Sequence, residues 1–191
     1  MEIITAPHQT LRAKSKPITV VDHKVQQFLQ DLKETLAVKQ KPAGVGLAAN
    51  QVNRKLRVFA MREVEPNQEN ILQVPVKLII NPEITTHSKG RTLGSNPEEP
   101  ELEGCLSIPG IYGPVPRWEW VEVSFQRIKD GQLVNQNRKF TGYQARIVQH
   151  ETDHLNGILF VDHLLEHDMP AYIEEEQGLA ELKPRSILKV Y

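Results

Sequence analysis

Between Asp22 and Gln40 the apolar residues Val25, Phe28, Leu29, Leu32 and Leu36 recur at helical spacing, with lysines and glutamates between them. That pattern predicts an amphipathic helix whose apolar stripe covers a core. It should end near Lys41-Pro42-Ala43-Gly44, where a run of small residues from Gly44 to Gln51 allows close backbone approach. Leu56 to Met61 and Val76 to Ile80 are short, rich in branched residues and predict strands. The stretch from Thr85 to Pro100 is polar, carries Gly90, Gly94, Pro97 and Pro100, and predicts a long surface loop. Trp120 to Gln126 then alternates, with Val121, Val123 and Phe125 on one face and Glu122, Ser124 and Gln126 on the other. Asp130-Gly131 supplies a hairpin turn into Leu133 to Phe140.

A second helix is predicted from Tyr143 to Leu155, a run without Gly or Pro, with Thr141 as N-cap and Gly157 where a helix stops. Ile158 to Val161 predicts one more short strand. An acidic tail follows from about residue 169, and its Pro170, Gly178 and Pro184 argue against one long terminal helix. The order is helix, strands, helix, short strand and tail, without regular βαβ alternation or internal repeats. The class is therefore α+β with mainly antiparallel sheet.

Composition changes this picture only modestly. A chain of 191 residues with 39% hydrophobic content suits one domain, residues 1–191, with a sizeable core. A formal charge of -1 leaves no global basic footprint, so direct nucleic-acid or membrane binding is not expected. No apolar run approaches bilayer-spanning length, and the start Met1-Glu2-Ile3-Ile4 lacks a basic region followed by an apolar core. The expectation is a soluble, cytoplasmic protein. Cys105 is the single cysteine, which excludes an internal disulfide.

The chemistry concentrates in Gln149-His150-Glu151-Thr152-Asp153-His154-Leu155-Asn156-Gly157. On a helix of 3.6 residues per turn, His150 and His154 share a face, so two imidazoles can grip one metal ion with Glu151 beside its open position. A catalytic site of the zinc type needs a third protein ligand. Phe160 stands where one class of helix-borne metallopeptidases has a third histidine. Downstream glutamates, Glu166, Glu174, Glu175, Glu176 and Glu181, are candidates, although they read as a solvated acidic tail. Cys105, in Glu103-Gly104-Cys105-Leu106-Ser107, is another, since a thiolate suits a borderline-soft cation and Gly104 leaves room beside it.

Three stretches together resemble the peptide deformylases: Gly44-Val45-Gly46-Leu47-Ala48-Ala49-Asn50-Gln51, then Glu103-Gly104-Cys105-Leu106-Ser107, then Gln149-His150-Glu151-Thr152-Asp153-His154. Pro7, Leu11 and Arg12 are similar too. The resemblance covers most of the chain and implies antiparallel sheet wrapped around the ligand-bearing helix. It implies removal of the formyl group from the N-terminal formyl-methionine of nascent peptides, with release of formate. Cys105, His150 and His154 would be the metal ligands and Glu151 the proton carrier. Gln51, through its side-chain amide, and Leu106, through its backbone N–H, would steady the charge that builds on the formyl oxygen. Val45, Tyr143, Arg146 and Ile147 would surround the methionine side chain, and Gly46 and Gly104 would offer backbone groups to the peptide. The helical spacing of Tyr143, Arg146, Ile147 and His150 agrees with a shared face. Apart from the resemblance, Glu103 and Arg117 have opposite charges and would pair to brace the ligand loop, although such a pair stabilises by only about 0 to 1 kcal/mol where it is exposed.

Members of that family commonly work with Fe2+, and the donor set also suits Zn2+, Ni2+ or Co2+. The match departs at Asn50, where the family often has Pro or Thr, and at Tyr112, where many bacterial members carry a peptide-holding arginine. The tail does not read as the long terminal helix with which some members meet the ribosome, so any ribosome contact is expected to be transient.

Overall fold

The structure, a computed structural model of the chain, describes residues 1–39, 43–66, 68–96 and 98–182. The strands in chain order are β1 (Gly46–Ala48), β2 (Val58–Arg62), β3 (Val76–His87), β4 (Arg91–Thr92), β5 (Leu102–Cys105), β6 (Ile108–Pro114), β7 (Arg117–Trp118), β8 (Trp120–Lys129), β9 (Gln132–Thr141), β10 (Ala171–Glu175) and β11 (Gly178–Leu182). The α-helices are α1 (His23–Val38), α2 (Gly142–Leu155) and α3 (Phe160–Glu166). One antiparallel sheet has the order β1-β2-β3-β8-β9, a second has β11-β10-β6-β5, and β4 pairs with β7. This is the α+β class read from the sequence.

The first sheet is filled from both sides. Val58 and Ala60 of β2 join Phe28, Leu29, Leu32 and Leu36 of α1 in one core cluster. Their neighbours Phe59 and Met61 join Ala145, Ile147, Val148 and Leu155 of α2 in another. Successive side chains of a strand point to opposite faces, so a strand covered on both faces must be apolar on both, as Val58–Met61 of β2 is. A third cluster joins Leu159, Phe160, Val161 and Leu164 to Ile108 and Ile111 of β6 and Ala171 of β10. Its packing places Cys105 at the edge of the core.

Both main helices fall where the pattern put them. Asp22 caps α1 by accepting the Val25 N–H at 2.8 Å, and Thr141 is the N-cap of α2 through its backbone alone. The expected end of α1 at residues 41–42 lies outside the described residues, as do Pro97 and Pro184. Gly157 ends α2 with φ of +78°, and a Cβ there would stand 2.5 Å from the Arg12 carbonyl oxygen, so both conformation and space demand glycine.

Two expectations need correction, while the tail, as expected, is not one long helix. Ile158 to Val161 is no strand: Phe160 opens α3, and four apolar residues were too few to tell a helix from a buried strand. The polar stretch from Thr85 is only partly loop. Residues 83–87 extend β3 along β8, and Arg91–Thr92 pairs with β7, because ladders are made by backbone groups that need no apolar side chains. The tail forms the β10–β11 hairpin, which joins the second sheet through Tyr172 and Ile173 on β6. Among the described residues no helix is long and apolar enough to cross a membrane.

Candidate metal centre and active site

Helix α2 packs against β1, β2, β8 and β9, and it carries most of the chemistry. Residues Ala145 to Thr152 are buried without interruption, as are His154 and Leu155. Polar side chains in such a helix require partners, and their partners define the site.

His150 and His154 stand one turn apart with ring centroids 4.9 Å apart, nearly perpendicular at 74°. Cys105 approaches from the end of β5, where a bulge after Gly104 shifts the register and turns the thiol inward. Its Sγ lies 3.2 Å from His154 Nε2. One donor atom from each of Cys105, His150 and His154 falls within 4.8 Å of the other two. These residues fit a divalent metal on three counts. Two imidazoles and a thiolate are a donor set for zinc-like cations. His150 Nδ1 is held by Glu103 Oε2 at 2.9 Å, which leaves Nε2 to face the centre. Burial alone would raise the Cys105 thiol, but the His154 and His150 imidazoles outweigh it and bring it down to about 5, in the thiolate range that metal binding needs.

Glu151 sits beside this triad in a different condition. Its Oε2 is buried without a hydrogen-bond partner among the described residues. Burial pushes its carboxyl up to about 7 against the pull of His150 and His154, with Cys105 and Glu103 adding to the rise. On its other side stands Gly46 of β1, where a Cβ would lie 2.2 Å from Glu151 Oε1. Glycine is thus required for the carboxylate to fit at all.

Gln51 completes the inner ring. Its Oε1 accepts the Ala48 N–H at 2.8 Å, which turns Nε2 toward Cys105 Sγ at 3.4 Å and Ser107 Oγ at 3.2 Å. The 310 turn that carries Gln51, Ala49–Val52, is held by the neighbouring Asn50. Asn50 is fully buried; its amide donates to the Ala13 carbonyl at 2.6 Å and its Oδ1 accepts from Ser15 Oγ at 2.5 Å. The departure from the family pattern at position 50 therefore serves packing of the first residues against this turn. Two backbone bonds from the N-terminal segment also reach the site: Ile4 N–H donates to the Gln51 carbonyl at 2.8 Å and Ala6 N–H to that of Ser107 at 2.9 Å.

A cavity of about 830 Å³ opens above the triad. Val45, Gly46, Gln51, Gly104, Cys105, Leu106, Tyr143, Arg146, Ile147, His150 and Glu151 all line it, while His154 lies behind, 1% exposed. The candidates that the resemblance implied are thus in this one region, whereas of the downstream glutamates only Glu174 lines the cavity. Arg146 nonetheless has a second occupation: its guanidinium contacts Glu103 at 2.9 Å, Glu101 at 3.2 Å and the Val115 carbonyl at 2.7 Å.

The Glu103–Arg117 pair forms, and it is buried. Arg117 is 3% exposed and Glu103 6%. Both oxygens of Glu103 are held by Arg117, through Nε and Nη2, each at 2.9 Å. With Arg146 and His150 as further partners, Glu103 stays well below the usual carboxylate range despite its burial. Arg117 also donates to Asp153 Oδ2, which His163 Nε2 approaches at 2.8 Å. Sequence reading missed this extension and gave Ser107 no role; it named Tyr112 as a departure from the family and Glu174 as a candidate ligand, and both stand in the outer cavity wall. Glu174 belongs to a tail that lacks any local chemical signature, and only the pairing of β10 with β6 brings it there.

The chain is similar to known proteins in sequence and in fold. The polypeptide deformylase family profile matches residues 1–169. A peptide deformylase of Wolinella succinogenes is 38% identical over 97% of this chain and 96% of its own. One of Thermomicrobium roseum is 41% identical over 92% of each chain. Among solved structures, a class I type b peptide deformylase of Acinetobacter baumannii with Met-Ala-Ser bound superposes with a TM-score of 0.70 at 31% identity, covering 85% of this chain and 97% of that one. A peptide deformylase of Plasmodium falciparum superposes with a TM-score of 0.67 at 31% identity, covering 85% of both chains.

Proposed function

The chain belongs to the polypeptide deformylase family, and we propose that Cys105, His150 and His154 hold its metal while Glu151 carries its proton. The activity is removal of the formyl group from the N-terminal formyl-methionine of new polypeptides, with release of formate. The observation that carries the assignment is the convergence of three donor atoms within 4.8 Å beside a buried carboxylate oxygen that has no other partner. A divalent cation held there supplies Lewis acidity, polarising the formyl carbonyl and acidifying the attacking water.

The remaining steps belong to protein groups. Glu151 Oε2 takes the proton of the water and later delivers it to the leaving amine, a role suited to a carboxyl titrating near neutral pH. Gln51 Nε2 and the Leu106 N–H donate to the formyl oxygen as charge builds on it, each lowering the barrier by roughly 3 to 4 kcal/mol. Val45, Tyr143 and Ile147 form the apolar slot for methionine, and Gly46 and Gly104 pair with the peptide backbone as an added strand does. Arg146 lends the slot its alkyl stem while its charged end holds Glu103 and Glu101 in place. The metal is Fe2+ in the working enzyme, with Zn2+, Ni2+ and Co2+ as substitutes for the same donors. Residues 1–191 act as one catalytic domain in the cytoplasm, meeting the ribosome only transiently.

Formate release from a formyl-methionyl peptide tests this reading, using protein purified without air and loaded with Fe2+. The parent releases formate and Glu151→Gln does not. Equal release by both would remove Glu151 from its role, and cleavage of an internal peptide bond would point to a peptidase.

A further inference from the structure

A second group of metal-binding side chains lies outside that cavity, on the last turn of α3. His163, Glu166 and His167 follow one another at i, i+3 and i+4, so all three project from one helix face. One donor atom from each lies within 4.8 Å of the others, with His163 Nδ1 3.9 Å from Glu166 Oε2. The two imidazoles are nearly parallel, 5° apart in plane, with centroids separated by 6.4 Å.

The state of His163 sets this group apart from an ordinary surface cluster. Its Nε2 lies 2.8 Å from Asp153 Oδ2, an oxygen that also accepts from Arg117. That oxygen belongs to a carboxylate already paired with the Arg117 guanidinium, so it acts as an acceptor. Nε2 therefore donates, and the lone pair of that tautomer sits on Nδ1. That Nδ1 is buried and has no partner among the described residues. A carboxylate behind an imidazole, fixing its tautomer and aiming its free nitrogen outward, is the arrangement that orients metal-binding histidines.

We propose that His163, Glu166 and His167 form a second site for a divalent transition-metal ion of the zinc class, distinct from the Cys105 centre. Two nitrogens and one carboxylate oxygen are a donor set for such an ion, with a fourth position left for water. Two cations stand nearby. Arg117 Nη1 is 3.4 Å from His163 Nε2 but is neutralised by Asp153 and Glu103. Arg91 Nη1 is 3.1 Å from His167 Nε2 and lies over the Trp118 ring at 5.4 Å. Arg91 is exposed and not buried with its partner, so it competes with the metal for His167 and sets the affinity of the site.

The test is titration of the metal-stripped, untagged full chain with Co2+, followed by Zn2+ stoichiometry from equilibrium dialysis. The parent takes up two equivalents. One gives the thiolate charge-transfer band of the Cys105 centre and the other gives only d–d absorption. Glu166→Gln and His167→Ala each lose the equivalent without charge transfer and keep the other. Cys105→Ser loses the charge-transfer band and keeps one equivalent, which separates the two centres. Arg91→Gln tightens the second equivalent. Saturation of the parent at a single, thiolate-bound equivalent would overturn the proposal, as would survival of the second equivalent in both α3 variants.

Discussion

Two buried carboxylates flank His150, and they lead opposite lives. Glu103, on the β5 side, is bound by two guanidinium groups and an imidazole and is held ionised. Glu151, on the β1 side, faces a cavity with one oxygen unpartnered and titrates near 7. Side-chain type and depth are nearly the same, so the difference lies in the partners. A fully bonded carboxylate becomes a structural anion, and one left short of bonds becomes a group that can move a proton.

The largest test of that contrast removes the mobile carboxylate. Glu151→Gln, which keeps shape but not proton transfer, should lower deformylation by roughly 10² to 10⁴-fold while thermal unfolding stays near that of the parent. Next comes the fixed one. Glu103→Ala leaves Arg117 and Arg146 buried without their common anion and should cost about 3 to 5 kcal/mol of stability, read from urea unfolding. Gln51→Ala should lower kcat by about 10² to 10³-fold, and because it leaves the buried Ala48 N–H without its acceptor it should also cost about 1 to 3 kcal/mol in the same urea unfolding.

The two carboxylates should also respond to pH with opposite sign. Glu103 has a depressed folded pKa, so its contribution is present above the unfolded value of about 4 and is lost as pH falls through the folded one. Glu151 has a raised folded pKa of about 7, so in metal-stripped protein its contribution is complete below about pH 4 and is lost as pH rises toward 7. Urea midpoints between pH 3 and 8, on the order of those limits, should therefore lose their upper slope in Glu151→Gln and their lower slope in Glu103→Gln. The smallest effect is a surface control. Lys77→Ala breaks an ion pair with Glu63 in which the lysine is half exposed, and it should change stability by about 0 to 1 kcal/mol.

The inner half of this comparison was readable in the sequence and the outer half was not. His150, Glu151 and His154 lie within five residues, and helical periodicity alone puts them together. The Asp130-Gly131 turn was equally legible, since it forms the β8–β9 hairpin from adjacent residues. Gln51 came only through resemblance, and Cys105 stood among several candidate third ligands until resemblance singled it out, because chain order does not say which loops meet. The Glu103 network was harder still: its members at 101, 103, 117, 146 and 153 come from three elements and a loop, and charged residues in isolation read as surface. Arg62 makes the same point. It is 1% exposed, and its guanidinium meets the carbonyls of Leu36 and Ala37 at the end of α1, a use of charge that no spacing rule announces. The β10–β11 hairpin failed for a different reason, since its acidic, mostly exposed strands lack the alternation that marks a half-buried sheet.

The two backbone bonds from Ile4 and Ala6 tie together the turns that bear Gln51 and Ser107. During synthesis residues 4–6 leave the ribosome about a hundred residues ahead of Ser107, one of their partners, and they can settle only after that stretch has followed. Residues 4–6 thus act as the closing stitch of the proposed active site, and loosening their two backbone bonds would alter catalysis from a place remote in sequence from every proposed metal ligand.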